Sequence, residues 1–154
     1  MTHVGARPPL LALVFRPLTV ERHTYDNLRA SGHFTINHVT AEFLECAHQT
    51  SAKYPRNRSE FAAVGLTPEP STSGAPYVAE SPVSFLLDFA EEHHVRANDT
   101  IIVIGAVRAI RLSEDLAVAD GGPDWGRLGG LAVSGLYDYY QLRHSRSLGY
   151  ARPT

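Results

Sequence analysis

The sequence has a single cysteine, Cys46, which excludes an internal disulfide and fits a reducing compartment. No apolar run reaches the roughly 20 residues that a bilayer span requires, and the opening Met1 to Pro9 lacks the apolar stretch of a signal peptide. Charge of one sign is also scarce. The formal net charge is −2, so the chain offers no broad footprint for nucleic acid or anionic lipid, and any anion site must be local. These absences predict a cytoplasmic protein with neither nucleic-acid nor membrane partners. Several signatures of chemistry are missing too. There is no GxSxG nucleophile elbow and no GxxxxGK(S/T) phosphate loop. No HExxH pattern or cysteine pair marks a zinc site, and the eight histidines are scattered, so no metal is expected.

What is present suits one domain. The 154 residues are 44% hydrophobic and 19% charged, enough apolar material for a core and too little charge for disorder. Leu10 to Phe15 is a continuous apolar run behind Pro8-Pro9 and predicts a strand buried on both faces. Its place at the head of the chain is odd, because a terminal strand tends to lie at a sheet edge. Residues Arg22 to Ala30 read as a helix stopped by Gly32, and His33 to Val39 alternates, with Phe34 and Ile36 on one side. Thr40 is placed to cap a helix carrying Phe43, Leu44 and Ala47, and Ser59 to cap a short turn ended by Gly65. Thr67 to Pro76 is rich in loop formers. Val83–Val95 and Thr100–Leu112, separated by Arg96 to Asp99, predict a long antiparallel hairpin. Gly105 within it signals a bulge or a close approach by another group. Gly121-Gly122-Pro123 and Gly129-Gly130 punctuate the tail before Leu131 to Leu142. The pattern favours a mainly β, α+β domain of barrel type, although its β-α-β-α opening also permits an α/β sheet.

Two places offer chemistry. Arg16, Arg22, His23 and Thr24 fall where the first strand gives way to the first helix. Guanidinium groups bind phosphate through charged hydrogen bonds, and a helix start adds unpaired N–H groups. The plain alternative is a solvated loop. His48 to Pro55 ends a helix with Gln49, Thr50, Ser51 and Lys53, which either line a polar ligand site or form an ordinary frayed end with Lys53 at the negative pole. Cys46 has apolar neighbours and reads as an inert thiol. Asp88, Glu91 and Glu92 read as the solvated edge of a strand.

The ordered motifs resemble a known family. Arg22-His23-Thr24-Tyr25-Asp26-Asn27-Leu28 with Gly32-His33-Phe34-Thr35-Ile36-Asn37 is similar to the "RxTYxNI…TGxFxxN" stretch of flavin-reductase-like, flavoredoxin-type proteins. Thr50 to Pro55, Ser59-Glu60-Phe61 and Gly65-Leu66-Thr67 resemble "TSAxxP…SEF…GLT". Val78 to Val83 resembles "VxESPV", and Ile102 to Gly105 resembles "LVIG". The resemblance implies an FMN-binding split β-barrel, a homodimer with FMN near the subunit interface, and hydride or electron transfer between NAD(P)H and flavin. It makes Arg16, Arg22, His23 and Thr24 phosphate candidates and Thr50 and Ser51 cleft-lining candidates. Members that instead carry electrons imply an electron-acceptor protein as partner, so a non-catalytic FMN-binding electron-transfer module is the alternative. The family opens with two strands ahead of the equivalent of Pro8-Pro9, bearing an "N-L-A-x-F-S" segment. Only Thr2 to Gly5 matches its end, so residues 1–154 are expected to form a single domain that is partial at its N-terminus, with an inactive remnant as the third reading.

Overall fold

The computed structural model describes residues 1–117, 124 and 126–153. The expected break at Gly121-Gly122-Pro123 lies outside the described residues. In chain order the elements are β1 (Thr2–Ala6), β2 (Pro9–Phe15), α1 (His23–Ser31), β3 (His33–Asn37), α2 (Leu44–Gln49), α3 (Glu60–Val64), β4 (Pro68–Glu69), β5 (Tyr77–Val78), β6 (Val83–Val95), β7 (Thr100–Leu112), β8 (Leu131–Ser134) and β9 (Asp138–Gln141). A 3-10 turn at Ala41–Phe43 leads into α2 and another, Glu114–Leu116, follows β7.

The main sheet has the order β1-β2-β7-β6-β3, with β4-β5 and β8-β9 forming separate pairs. Every pairing is antiparallel, which removes the α/β alternative and leaves the mainly β architecture with short helices. The hairpin of β6 and β7 falls where the alternation places it, with Val95 opposite Thr100. Its register slips between Phe89 and Glu91, opposite Gly105. Gly105 also answers the second expectation. A Cβ there would lie 2.5 Å from Phe34 Cζ and 3.0 Å from Leu87 Cδ2, so the phenyl ring occupies the room that any side chain would need.

One face of the sheet carries the principal core. Leu28, Phe34, Leu87 and Val103 are buried together, with Leu11, Leu13, Phe15, Tyr25, Ile36 and Phe89 packed around them. α1 contributes Leu28 and Tyr25, three apart on one face as a helix requires. It ends at Gly32, whose φ of 73° is the left-handed conformation that glycine adopts without Cβ strain. A half-buried Arg111 fastens the β4–β5 pair to β7: it forms an ion pair with Glu69, donates to the carbonyls of Val78 (2.8 Å) and Ser81 (2.7 Å), and lies over the Tyr77 ring.

Three sequence expectations need correction. β2 is not buried on both faces. Ala12 is buried, but Val14 is 63% exposed, because alternate residues of β2 face away from the core that takes Leu11, Leu13 and Phe15. Nor is β2 the first element: β1 precedes it and takes the edge. Finally, neither Thr40 nor Ser59 caps with its side chain. Thr40 instead pairs its backbone with Gly130, and its hydroxyl is buried without a hydrogen-bond partner among the described residues.

Candidate functional site: a cationic cleft at the start of α1

β2 delivers the chain to the head of α1 through the loop from Arg16 to Arg22. Arg22 occupies the cap position in an extended conformation, and its side chain does not cap the helix. The first N–H groups of a helix have no intrahelical acceptor, so they are left pointing outward with the positive end of the helix dipole. On the other wall stands the end of α2. Thr50 amide closes onto Cys46 and Ala47 carbonyls, Ser51 amide onto the His48 carbonyl (3.0 Å), and Ala52 amide onto the Gln49 carbonyl.

The two walls enclose a cleft of about 780 Å³ lined by Phe15, Arg16, Val20, Glu21, Arg22, His23, Thr24 and the run Thr50 to Tyr54. All six residues singled out from the sequence, Arg16, Arg22, His23, Thr24, Thr50 and Ser51, therefore meet in one place. Lys53 joins them. Arg16, Arg22 and Lys53 face one carboxylate, Glu21, so the cleft is locally cationic although the chain is not. The Arg22 Nε is buried with no hydrogen-bond partner among the described residues. A buried guanidinium N–H without an acceptor is costly, and an anion seated beside it would remove that cost. The Thr50 hydroxyl, by contrast, donates to the Ala47 carbonyl at 2.7 Å. It would have to rotate before it could donate to a ligand.

The sequence reading does not single out Phe15 or Glu21. Phe15 forms apolar lining of the cleft and meets Tyr25 edge-on at 5.5 Å, while the Tyr25 hydroxyl donates to Glu92 at 2.9 Å. Burial and that bond to a carboxylate push the Tyr25 pKa up. Glu21 lies 3.5 Å from His23 and 3.3 Å from Arg56, which also reaches Asp26 at 3.4 Å. No periodicity or motif could have found Glu21, since it depends on Arg56 returning from 35 residues away.

On its other side α1 borders a second cleft, of about 830 Å³, which shares Thr24 and includes Asn27, His33, Phe34, Glu60 and Phe61. His33 Nδ1 lies 2.7 Å from the Asp88 carboxylate, which also accepts from Arg108 at 2.8 Å. Asp88 is thus paired with Arg108 and hydrogen-bonded to His33, not a solvated strand edge.

Residues 1–127 match the family model described as the flavin reductase like domain. No curated protein matches the chain. Among solved structures, a split-barrel protein assigned as a flavin reductase from Shewanella frigidimarina is 40% identical over 97% of this chain and 75% of its own, with a TM-score of 0.90. Flavoredoxin of Desulfovibrio vulgaris is 25% identical over 95% of this chain and 76% of its own, at a TM-score of 0.80. Component B of nitrilotriacetate monooxygenase from Bacillus cereus shares the fold, at 22% identity, 96% and 75% coverage and a TM-score of 0.84. With a family match across 127 of 154 residues and a split-barrel relative at this identity, the chain belongs to the flavin reductase-like family.

Proposed function

We propose that this protein is an FMN-binding oxidoreductase that moves hydride or electrons between NAD(P)H and flavin, with the FMN phosphate seated in the cleft at the head of α1. The single observation that carries the reading is the Nε of Arg22, buried and without a partner among the described residues, beside Arg16, Lys53 and the amides of a helix start. Such a donor set fits a dianionic phosphate. When bound, the flavin supplies the two-electron redox chemistry, and the protein supplies binding and orientation. Arg22 and Arg16 hold the phosphate, Ser51 and Lys53 close on it from the opposite wall, and His23 and Thr24 present the first helix amides. Phe15 gives apolar lining where the cleft meets the core.

The reading includes a homodimer. Its support is the apolar surface left in water near the cleft, where Val14 is 63%, Val20 43% and Leu18 41% exposed. The free Cys46 supports work in the cytoplasm, and no helix among the described residues is long and apolar enough to cross a membrane.

The test is a titration with FMN and with riboflavin, which lacks the phosphate, followed by addition of NADH or NADPH. FMN is expected to bind at least about tenfold more tightly, the weight of one charged hydrogen bond, and the nicotinamide to be oxidised only when flavin is present. Protein that takes up no FMN ends the reading. Tight FMN binding without nicotinamide oxidation would identify the electron-transfer module instead.

A further inference from the structure

The β8–β9 hairpin lies past residue 127, where the family match ends, yet it holds the strand exit ahead of α2 and the last turn of α2 itself. At its base, the Leu131 amide donates to the Val39 carbonyl (3.3 Å) and Gly130 pairs with Thr40, just ahead of α2. Further along, the Tyr139 hydroxyl lies 2.8 Å from His48 Nδ1, in the last turn of α2. The rings of Tyr139 and Tyr137 meet the His48 imidazole edge-on, at 5.7 and 6.2 Å. The same residue holds the cleft: the His48 carbonyl accepts the Ser51 amide at 3.0 Å. His48 therefore has its side chain in the hairpin and its backbone in the wall that carries Thr50, Ser51 and Lys53.

We infer that His48 and Tyr139 are positioning residues, through which the C-terminal hairpin sets the place of the Thr50–Lys53 wall against Arg16 and Arg22. The inference rests on the phosphate reading of the cleft. A residue held by its side chain on the hairpin and by its backbone carbonyl in the wall keeps its helix end in one place, whereas an unheld helix of six residues frays, because so short a helix has little stability of its own. A fixed wall meets the anion without first losing motional freedom, which is how preorganisation raises affinity. The effect falls on the phosphate end of the ligand, because that is what the wall touches.

The two flavins separate this role from mere stability. Tyr139→Phe removes the hydroxyl and keeps the ring. It is expected to weaken FMN binding about threefold to tenfold, the range of one neutral hydrogen bond, and to leave riboflavin affinity unchanged. His48→Asn, whose amide can reach the place of Nδ1, is expected to keep most of the FMN preference. His48→Leu is expected to lose it, and this pair decides the matter if Tyr139→Phe does not fold. Equal losses for FMN and riboflavin, or no loss for either, would overturn the inference. If the unaltered protein binds both flavins equally, the phosphate reading itself has failed, and the positioning role goes with it.

Discussion

Replacing Gly105 by alanine puts a single methyl group where the Phe34 ring already lies. Carbon atoms attract best at about 3.5–4.0 Å. The new Cβ would stand 2.5 Å from Phe34 Cζ and 3.0 Å from both Phe34 Cε1 and Leu87 Cδ2. Phe34 and Leu87 are 7% and 0% exposed, so neither can swing into solvent. Relief requires a shift of about 1 Å in a packed core, and overpacking of this kind costs about 1–3 kcal/mol. Against this, glycine in a strand is about 0.5–1 kcal/mol worse than alanine through the entropy of the unfolded chain. The mid-range difference leaves a net loss of about 1 kcal/mol, or a Tm lower by about 2–4 °C in a domain of this length. Thermal unfolding followed by circular dichroism measures it. The decisive control is the double-mutant cycle with Phe34→Leu, which removes the ring atoms nearest the new methyl. Gly105→Ala should cost much less in that background. An unchanged Tm in the parent, or an equal drop in both backgrounds, would refute the account of Gly105 as room made for a ring.

Arg22→Ala should weaken FMN binding by about 1.5–3 kcal/mol, the weight of a charged hydrogen bond, with riboflavin unaffected; calorimetric titration reads both, and an unchanged FMN affinity would move the phosphate away from Arg22. Thr40→Val should leave the Tm unchanged or raise it, since the hydroxyl it removes is buried without a partner among the described residues; a marked fall in Tm would reveal a bond at that hydroxyl. His38 rests against the Phe85 ring (5.9 Å), and burial holds its pKa below 6.5. Between the folded value and that of the unfolded chain, the unfolded state binds more protons, so stability is full above about pH 6.5 and falls as the pH drops below it. Urea titrations across that interval should show the fall, and His38→Gln should flatten it; an identical slope in the variant would assign the protons elsewhere.

The parts of the fold written in local pattern were readable from the sequence. The β6–β7 hairpin follows from two long apolar stretches around four turn residues. α1 follows from Tyr25 and Leu28 at helical spacing with Gly32 behind them, and β3 from the alternation of Phe34 and Ile36. β1 was not readable, because Thr2 to Ala6 is short, largely exposed and lacks a bulky apolar face. β2 misled because a run of apolar residues looks the same whether its second face meets a core or water, and Val14 meets water. The cationic side of the cleft is legible as a strand-to-helix junction. That Thr50 and Ser51 stand opposite it is not, since some thirty residues intervene; only the family resemblance joined them. The partner of Gly105, Phe34, lies 71 positions away and left no trace but the glycine itself.

β3 runs beside β6 only from Ser84 to Asp88. Beyond the contact of the Phe89 amide with the Gly32 carbonyl, no strand among the described residues pairs with this border of β6, although Tyr25 and Arg29 of α1 reach Glu92. Unpaired strand borders invite other chains to add on. The residues standing there are Glu91, Glu92, His93 and His94, with His93 close to Glu91 and His94 close to Asp99. Four ionisable side chains in a row make poor company for an incoming strand. Colloidal behaviour therefore depends on a stretch that touches neither cleft, and exchanging these residues for threonine or valine, however favourable to strand geometry, would expose the chain to edge-to-edge pairing and fibril growth.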